Sequence, residues 1–225
     1  MLNSEKKFPF VMVHGGNMST ETWNALAKSD DYPPGKLLGG KIWDSIVPDL
    51  KAQGHDVFSP TLQDEHVSHL NDHINEIYAL IIRNNLKEVI LTGHSYGGMI
   101  ITAVASRIPE RIRHLVYVDA ALPNPGESLF DLIYSSGRDP LSFIGLEPDA
   151  PYIEKIDFEP GNLVDIHKTY ILCTESEFNA VTHPIMDKIK LNPSEWNYIE
   201  LKTSHIPMAS IPKDFVQILL KIAAE

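Results

Sequence analysis

The chain reads as one α/β domain over residues 1–225, a mostly parallel central sheet covered by helices on both faces. Three observations predict this. Short β-rich apolar runs alternate with stretches whose apolar residues recur at every third and fourth position. One tight pentapeptide, Gly93-His94-Ser95-Tyr96-Gly97, sits directly between an apolar run and a small-residue helical stretch. A length of 225 residues with 43% hydrophobic content buries a full core and suits a single α/β domain with a modest insertion.

Each element follows from local chemistry. Phe10-Val11-Met12-Val13 is a buried strand running into a glycine-bearing loop, His14-Gly15-Gly16. Between Trp23 and Ile42, Asp30-Asp31, Pro33-Pro34 and three glycines predict a surface loop. Trp43, Ile46, Val47 and Leu50 give a helical spacing over 43–53, stopped by Gly54. Asp56-Val57-Phe58 is a strand ended by Pro60, and Ile74, Ile77, Tyr78, Ile81 and Ile82 mark an amphipathic helix over 71–84. Val89-Ile90-Leu91 enters the pentapeptide, and the helix from Gly98 to Ala105 leaves it before Pro109 stops the chain. His114 to Val118 is a strand ending at Asp119. From 122 to 165 six prolines punctuate short helical pieces such as Ser128 to Tyr134, the pattern of a small lid. Thr169 to Cys173 and Tyr198 to Leu201 resume strands, and Phe215 to Ala223 closes with a helix.

A Gly-x-Ser-x-Gly crossing from strand to helix is a nucleophile elbow, which lifts the serine hydroxyl above the end of the sheet. Side chains at the two glycines would collide across the turn. The helix that starts there points its positive end at the reacting centre. The plain alternative is a glycine-rich turn carrying an inert serine. A serine is a weak nucleophile until a neutral imidazole takes its proton and a carboxylate orients that imidazole. In sheets with such an elbow the acid and then the histidine follow in chain order, and Ser95, Asp119 and His205 satisfy that order, each just past a predicted strand. Two backbone donors must face the developing oxyanion. The expected ones are the N–H of Tyr96 and that of Gly16, although the glycines after the first strand could serve only as a turn.

Jointly, Val13-His14-Gly15-Gly16 with Trp23 downstream, Gly93 to Gly98, Val118-Asp119-Ala120 through Pro123, Tyr170 to Thr174, and Ser204-His205 with Met208 carry a family resemblance over nearly the whole chain. The sequence resembles the α/β-hydrolase superfamily, in particular the group of plant methyl esterases, plant hydroxynitrile lyases and related bacterial carboxylesterases. It departs from that group in two places. Loop 24–42 is longer than is usual there. Plant relatives carry an aspartate shortly after the Cys-Thr of the penultimate strand, but Cys173-Thr174-Glu175-Ser176-Glu177 puts serine at that register. The resemblance leaves Asp119 as the favoured acid, with Glu175 or Glu177 as alternatives. Lyases of the group place a lysine right after the catalytic histidine and a polar residue in the first oxyanion loop. Here Ile206 and Gly15-Gly16 occupy those positions, which favours ester hydrolysis.

Composition narrows the field further. A net charge of −11 lacks the clustered Lys and Arg of a nucleic-acid partner and serves solubility. Cys173 is the only cysteine, so an internal disulfide is excluded and a reducing, cytoplasmic setting is the economical expectation; its place in a strand predicts a buried thiol. Met1 to Phe10 is too polar for an ordinary signal peptide, and no apolar stretch approaches the roughly 20 residues of a membrane span. His66, His69 and His73 would align on one continuous helix, yet a helix reaching back to His66 would begin close behind Pro60. Phe130, Tyr134, Leu141, Phe143 and Ile144 could line a substrate pocket or simply pack the lid.

The expectation is therefore a serine carboxylesterase of small, fairly apolar esters, with no cofactor, no metal and no partner beyond its substrate, a homodimer being left open. Its activity should fall as the histidine base takes up a proton, free imidazole titrating near about 6.5. Two other classes stand beside it: a hydrolase-fold receptor that binds a small molecule without turnover, and a hydroxynitrile lyase.

Overall fold

Phe10–Val13 (β1), Val57–Phe58 (β2), Val89–His94 (β3), Ile112–Val118 (β4), His167–Cys173 (β5) and Trp196–Leu201 (β6) form one sheet. Its order is β2-β1-β3-β4-β5-β6, with every neighbouring pair parallel. The computed structural model of the chain describes residues 6–28, 32–191 and 193–225. The connecting helices are Thr20–Ala27 (α1), Val47–Ala52 (α2), Leu70–Arg83 (α3), Gly97–Arg107 (α4), Leu129–Ser135 (α5), Ala150–Ile153 (α6), Asn179–Thr182 (α7), Ile185–Leu191 (α8), Pro207–Ser210 (α9) and Pro212–Ala224 (α10).

Successive strand residues point to opposite faces, so one strand feeds two cores. Phe10 and Met12 of β1 join Trp43, Ile46 and Leu50 below α2 and Phe215 and Leu219 of α10. Val11 and Val13 join Ile74, Ile77 and Ile81 of α3 and Ile100, Ala103 and Val104 of α4. In α3 the apolar residues 70, 74, 77 and 81 lie on one face, and the Asp72 carboxylate accepts the His69 N–H at 2.9 Å where the helix begins. Truncating a buried isoleucine such as Ile77 to alanine costs about 2–5 kcal/mol, because it leaves both lost transfer energy and a cavity.

Residues 122–165 insert between β4 and β5 as short helical pieces. Ser128 and Asp131 cap α5 reciprocally, with N–H to side-chain oxygen distances of 3.1 and 2.7 Å. Pro140 and Pro160 open single 3₁₀ turns, and Pro151 lies in the first turn of α6, where a missing N–H costs nothing. Among the described residues no helix is long and apolar enough to cross a membrane.

Two readings of the sequence need correction. The stretch from Trp23 to Ile42 is not all surface loop. Trp23 lies within α1, which is started by the Ser19 hydroxyl accepting the Thr22 N–H at 3.1 Å and stopped at Lys28 with φ +52°, and Leu38 and Ile42 are buried. The helix expected over 43–53 is α2 alone, preceded by a 3₁₀ turn at Gly39–Trp43, because Pro48 can occupy only a helix's first turn. The sequence pattern also passed over α7 and α8. Met1 to Glu5 of the polar N-terminus and Asp30-Asp31 of the expected loop lie outside the described residues.

Candidate active site

β3 ends at His94 and α4 begins at Gly97, so Ser95 occupies the turn between strand and helix, at φ +54°. That left-handed conformation strains a residue with a side chain by about 1–3 kcal/mol and is held by its surroundings. A Cβ on Gly93 would stand 2.7 Å from the Gly97 carbonyl oxygen, and one on Gly97 would stand 2.8 Å from that of Val13. The turn is fastened to the next strand end: Ser95 N–H donates to Val118 O at 3.3 Å and Ala121 N–H donates to Ser95 O at 2.9 Å.

Asp119, just past β4, is also left-handed, with φ +43°, and is fully buried. Its N–H donates to Ile171 O at 2.8 Å, and its Oδ1 accepts the Cys173 N–H at 3.2 Å. Its Oδ2 lies 2.6 Å from Nδ1 of His205, which is 6% exposed in the loop between β6 and α9. A carboxylate there accepts the Nδ1 proton, which leaves Nε2 as the basic nitrogen. The His205 ring is flanked by His94 and Phe178, with centroids at 4.5 and 5.3 Å. Ser95 and His205 line the same cavity and no hydrogen bond joins them in this structure; nucleophile and base pairs are often looser without substrate.

The alternative acids lie elsewhere. Glu175 is exposed and faces Lys202 Nζ at 3.9 Å. Glu177 lies on the cavity wall and makes no hydrogen bond or ion pair with His205. Between them Ser176 is buried, with its Oγ 3.3 Å from His205 Nδ1 and accepting the Phe178 N–H at 3.0 Å. The Cys173 thiol is buried, and burial pushes its pKa far up, so it is a structural group in β5.

The loop after β1 reaches the same cavity at Gly16. A Cβ there would stand 2.6 Å from the Tyr152 hydroxyl, so glycine lets the insertion close over the loop. The next residue, Asn17, at φ +38°, is held twice by the insertion: its N–H donates to Tyr152 Oη at 2.9 Å and its side-chain amide donates to the Gly145 carbonyl. Tyr152 also meets the Tyr96 ring edge to face at 5.0 Å.

Buried imidazoles brace this floor. His14 Nδ1 donates to Gly15 O at 2.7 Å while its Nε2 accepts the Leu62 N–H at 3.0 Å; burial lowers its pKa to about 4. His94 Nε2 donates to His205 O at 2.8 Å, and burial, with the neighbouring His205, pushes its pKa well below 6.5. His73 lies 3.0 Å from Gln63 O through Nε2, so its Nδ1 accepts from the Tyr96 hydroxyl at 3.0 Å.

The cavity measures about 270 Å³ and is mostly apolar, with Met18, Leu26, Leu129, Phe143 and Phe178 on its walls. The three histidines considered as a metal set do not converge: His66 faces Asp149, His69 caps α3 beside Glu154, and His73 is buried under Tyr96. Among the described residues the only three ligating side chains within reach of one ion are His66, Glu147 and Asp149, with donor atoms within 4.8 Å of one another; none of them lines the cavity. Sequence reasoning missed Asn17 and Tyr152 and weighed His73 only as a metal ligand. The residues they touch lie up to 135 positions away, and no local pattern marks them.

Residues 9–143 match the family model described as alpha/beta hydrolase fold. The carbendazim hydrolyzing esterase of Nocardioides sp. (strain SG-4G) is 42% identical over 133 residues, covering 55% of this chain and 46% of that protein. The putative chloroplastic methylesterase 11 of Arabidopsis thaliana is 23% identical, covering 95% of this chain and 63% of that protein. The chain thus spans less than two thirds of either relative's length. Among solved structures, an extracellular alpha/beta-hydrolase from a Paenibacillus species, described as sharing structural and functional homology with tobacco salicylic acid binding protein 2, superposes with a TM-score of 0.71. It is 21% identical, with 95% of this chain and 98% of that chain covered, a likeness of fold.

Proposed function

The chain belongs to the α/β-hydrolase fold family, and from that premise we propose that it is a serine carboxylesterase acting on small, fairly apolar carboxylic esters through an acyl-enzyme. The observation that carries this reading is the buried 2.6 Å contact between Asp119 and His205, on the cavity where Ser95 stands on its elbow. Names of relatives support the same chemistry.

In the proposed reaction Nε2 of His205 takes the Ser95 hydroxyl proton as Oγ attacks the ester carbonyl. Asp119 keeps the ring in the right tautomer and stabilises the imidazolium that forms. The tetrahedral oxyanion is received by the N–H groups of Tyr96 and Gly16, at the start of α4 and on the loop after β1. His205 then gives its proton to the departing alkoxide, and the alcohol leaves. Water, activated by the same nitrogen, hydrolyses the acyl-enzyme and restores Ser95. Residues 122–165 serve as the lid that shapes the cavity. The proposed setting is the cytoplasm, in keeping with a lone buried thiol. Ile206, buried after His205, supports hydrolysis over cyanohydrin cleavage, because it offers no cation for a cyanide leaving group.

The test is release of p-nitrophenol from acetate, butyrate and octanoate esters by the wild type and Ser95→Ala. Turnover lost in the variant supports the proposal, and the chain-length profile sizes the cavity. Turnover that survives would move the nucleophile elsewhere. A folded wild type without turnover would sink the esterase reading and direct attention to cyanide release from mandelonitrile and to ligand binding.

A further inference from the structure

The charge on the cavity wall is one-sided. Glu177, a solvent-exposed residue, lines it, and among the described residues no lysine or arginine does. Among the described residues Glu177 has no ion pair and no hydrogen bond, so its charge is available to whatever enters. Next to it in the chain, Phe178 faces the cavity and meets Phe143 of the insertion edge to face at 5.4 Å. Aromatic rings attract cations through their negative faces, and organic ammonium groups are the ligands for which such rings serve best. A carboxylate adjoining two rings therefore selects for positive charge over a neutral group of the same shape, and repels an anion. The net charge of −11 adds a long-range pull of the same sign.

Phe178 also fixes where the cation would lie. Its ring is 5.3 Å from that of His205, the residue that hands its proton to the departing alcohol in the proposed mechanism. The wall of Phe143, Glu177 and Phe178 thus lies on the side of the cavity that holds the base serving the leaving group. We infer that this wall is a subsite for a tertiary or quaternary ammonium group carried on the alcohol part of the ester substrate. The inference deepens the esterase reading and rests on it for the identity of the leaving group. Glu177, which makes no hydrogen bond or ion pair with His205, is on this account a specificity-determining residue.

The experiment compares acetylcholine with 3,3-dimethylbutyl acetate, its uncharged carbon isostere, in wild type and Glu177→Gln. The wild type should favour the cationic ester by about tenfold in kcat/KM, less at high salt, and Glu177→Gln should bring the ratio close to one. A wild-type ratio at or below one, or a ratio unchanged in Glu177→Gln, overturns the inference. Calorimetric titration with tetraethylammonium reads the subsite without turnover: binding should weaken at least fivefold in Glu177→Gln and in Phe143→Ala. If neither ester is hydrolysed, p-nitrophenyl ester turnover decides the esterase reading and this titration separately decides the subsite; absent or variant-independent binding counts against it.

Discussion

On the sheet side of the cavity, His14 and His94 are enclosed by protein, and burial holds both imidazoles neutral far below the usual histidine range. At the insertion's outer edge, His66 and His69 are exposed and sit 3.1 and 2.5 Å from the carboxylates of Asp149 and Glu154, whose hydrogen bonds and charge raise both pKa values. The same side chain is therefore a fixed neutral strut in one region and a chargeable tether in the other. The difference teaches that the count of ten histidines carries no functional meaning by itself. Desolvation dominates where the ring is walled in, and a partner's charge dominates where water remains.

That contrast between a rigid floor and an adjustable roof can be broken or sharpened by experiment. The largest effect belongs to the floor: Ser95→Ala should lower kcat for a p-nitrophenyl ester by about 10⁴-fold or more. Asp119→Asn should follow at about 10³- to 10⁴-fold in the same assay, because the amide orients the imidazole wrongly, while Glu175→Gln stays within twofold. If the two carboxylate variants behave the other way round, the floor is misread.

Acid should next separate the two regions by sign. The unfolded chain protonates histidine near about 6.5, whereas folded His14 resists until about pH 4, so the unfolded state binds more protons between these values and stability falls as pH drops. This linkage amounts to about 3 kcal/mol for His14 at most, read from urea unfolding at pH 7 and pH 4.5. A flat stability profile over that window would mean that the site is not closed to water.

A contact from roof to floor comes next in size. Tyr152→Phe removes the acceptor of the Asn17 N–H, costs about 1 kcal/mol, and should lower kcat five- to tenfold with little change in KM, since it disturbs the loop that bears Gly16. Smallest is the effect of the exposed tethers. Because their folded pKa values are raised, their stabilisation is fully present below about pH 6.5 and is lost as pH rises through the folded values. The melting temperature of wild type should therefore exceed that of a His66→Asn, His69→Asn double variant slightly at pH 6, and the gap should close by pH 9.

What the sequence disclosed follows the same division. Strand-bearing segments were legible because buried parallel strands are short apolar runs, and Ser95, Asp119 and His205 were nominated by lying just past them in the expected order. The structure brings Asp119 and His205 into contact across 86 positions of sequence. Regions controlled by single capping residues were less legible. The Ser19 cap that starts α1 stands ahead of a stretch whose later prolines and glycines dominated the reading, and Pro48 delayed a helix whose apolar spacing began at Trp43. The roof was least legible. Asn17, Gly145 and Tyr152 meet only because the insertion folds back over β1, and nothing in a 3.6- or 2-residue period encodes such a meeting.

The hydrogen bonds of the sheet continue past the ends of its strands, from Ser95 N–H to Val118 O, from Asp119 N–H to Ile171 O and from Cys173 N–H to the Asp119 carboxylate. The offset between the serine and aspartate turns is therefore set by the inter-strand repeat of about 4.8 Å, a ruler that no surface loop can stretch. An engineer could accordingly exchange the segment between Leu122 and Asp165 for one of another length or composition. The serine-to-aspartate spacing would stay in register, and the exchange would need to rebuild the two grips on Asn17, the Glu154 and Ser106 hydrogen bonds, and the buried face of Leu129, Ile133, Tyr152 and Ile156.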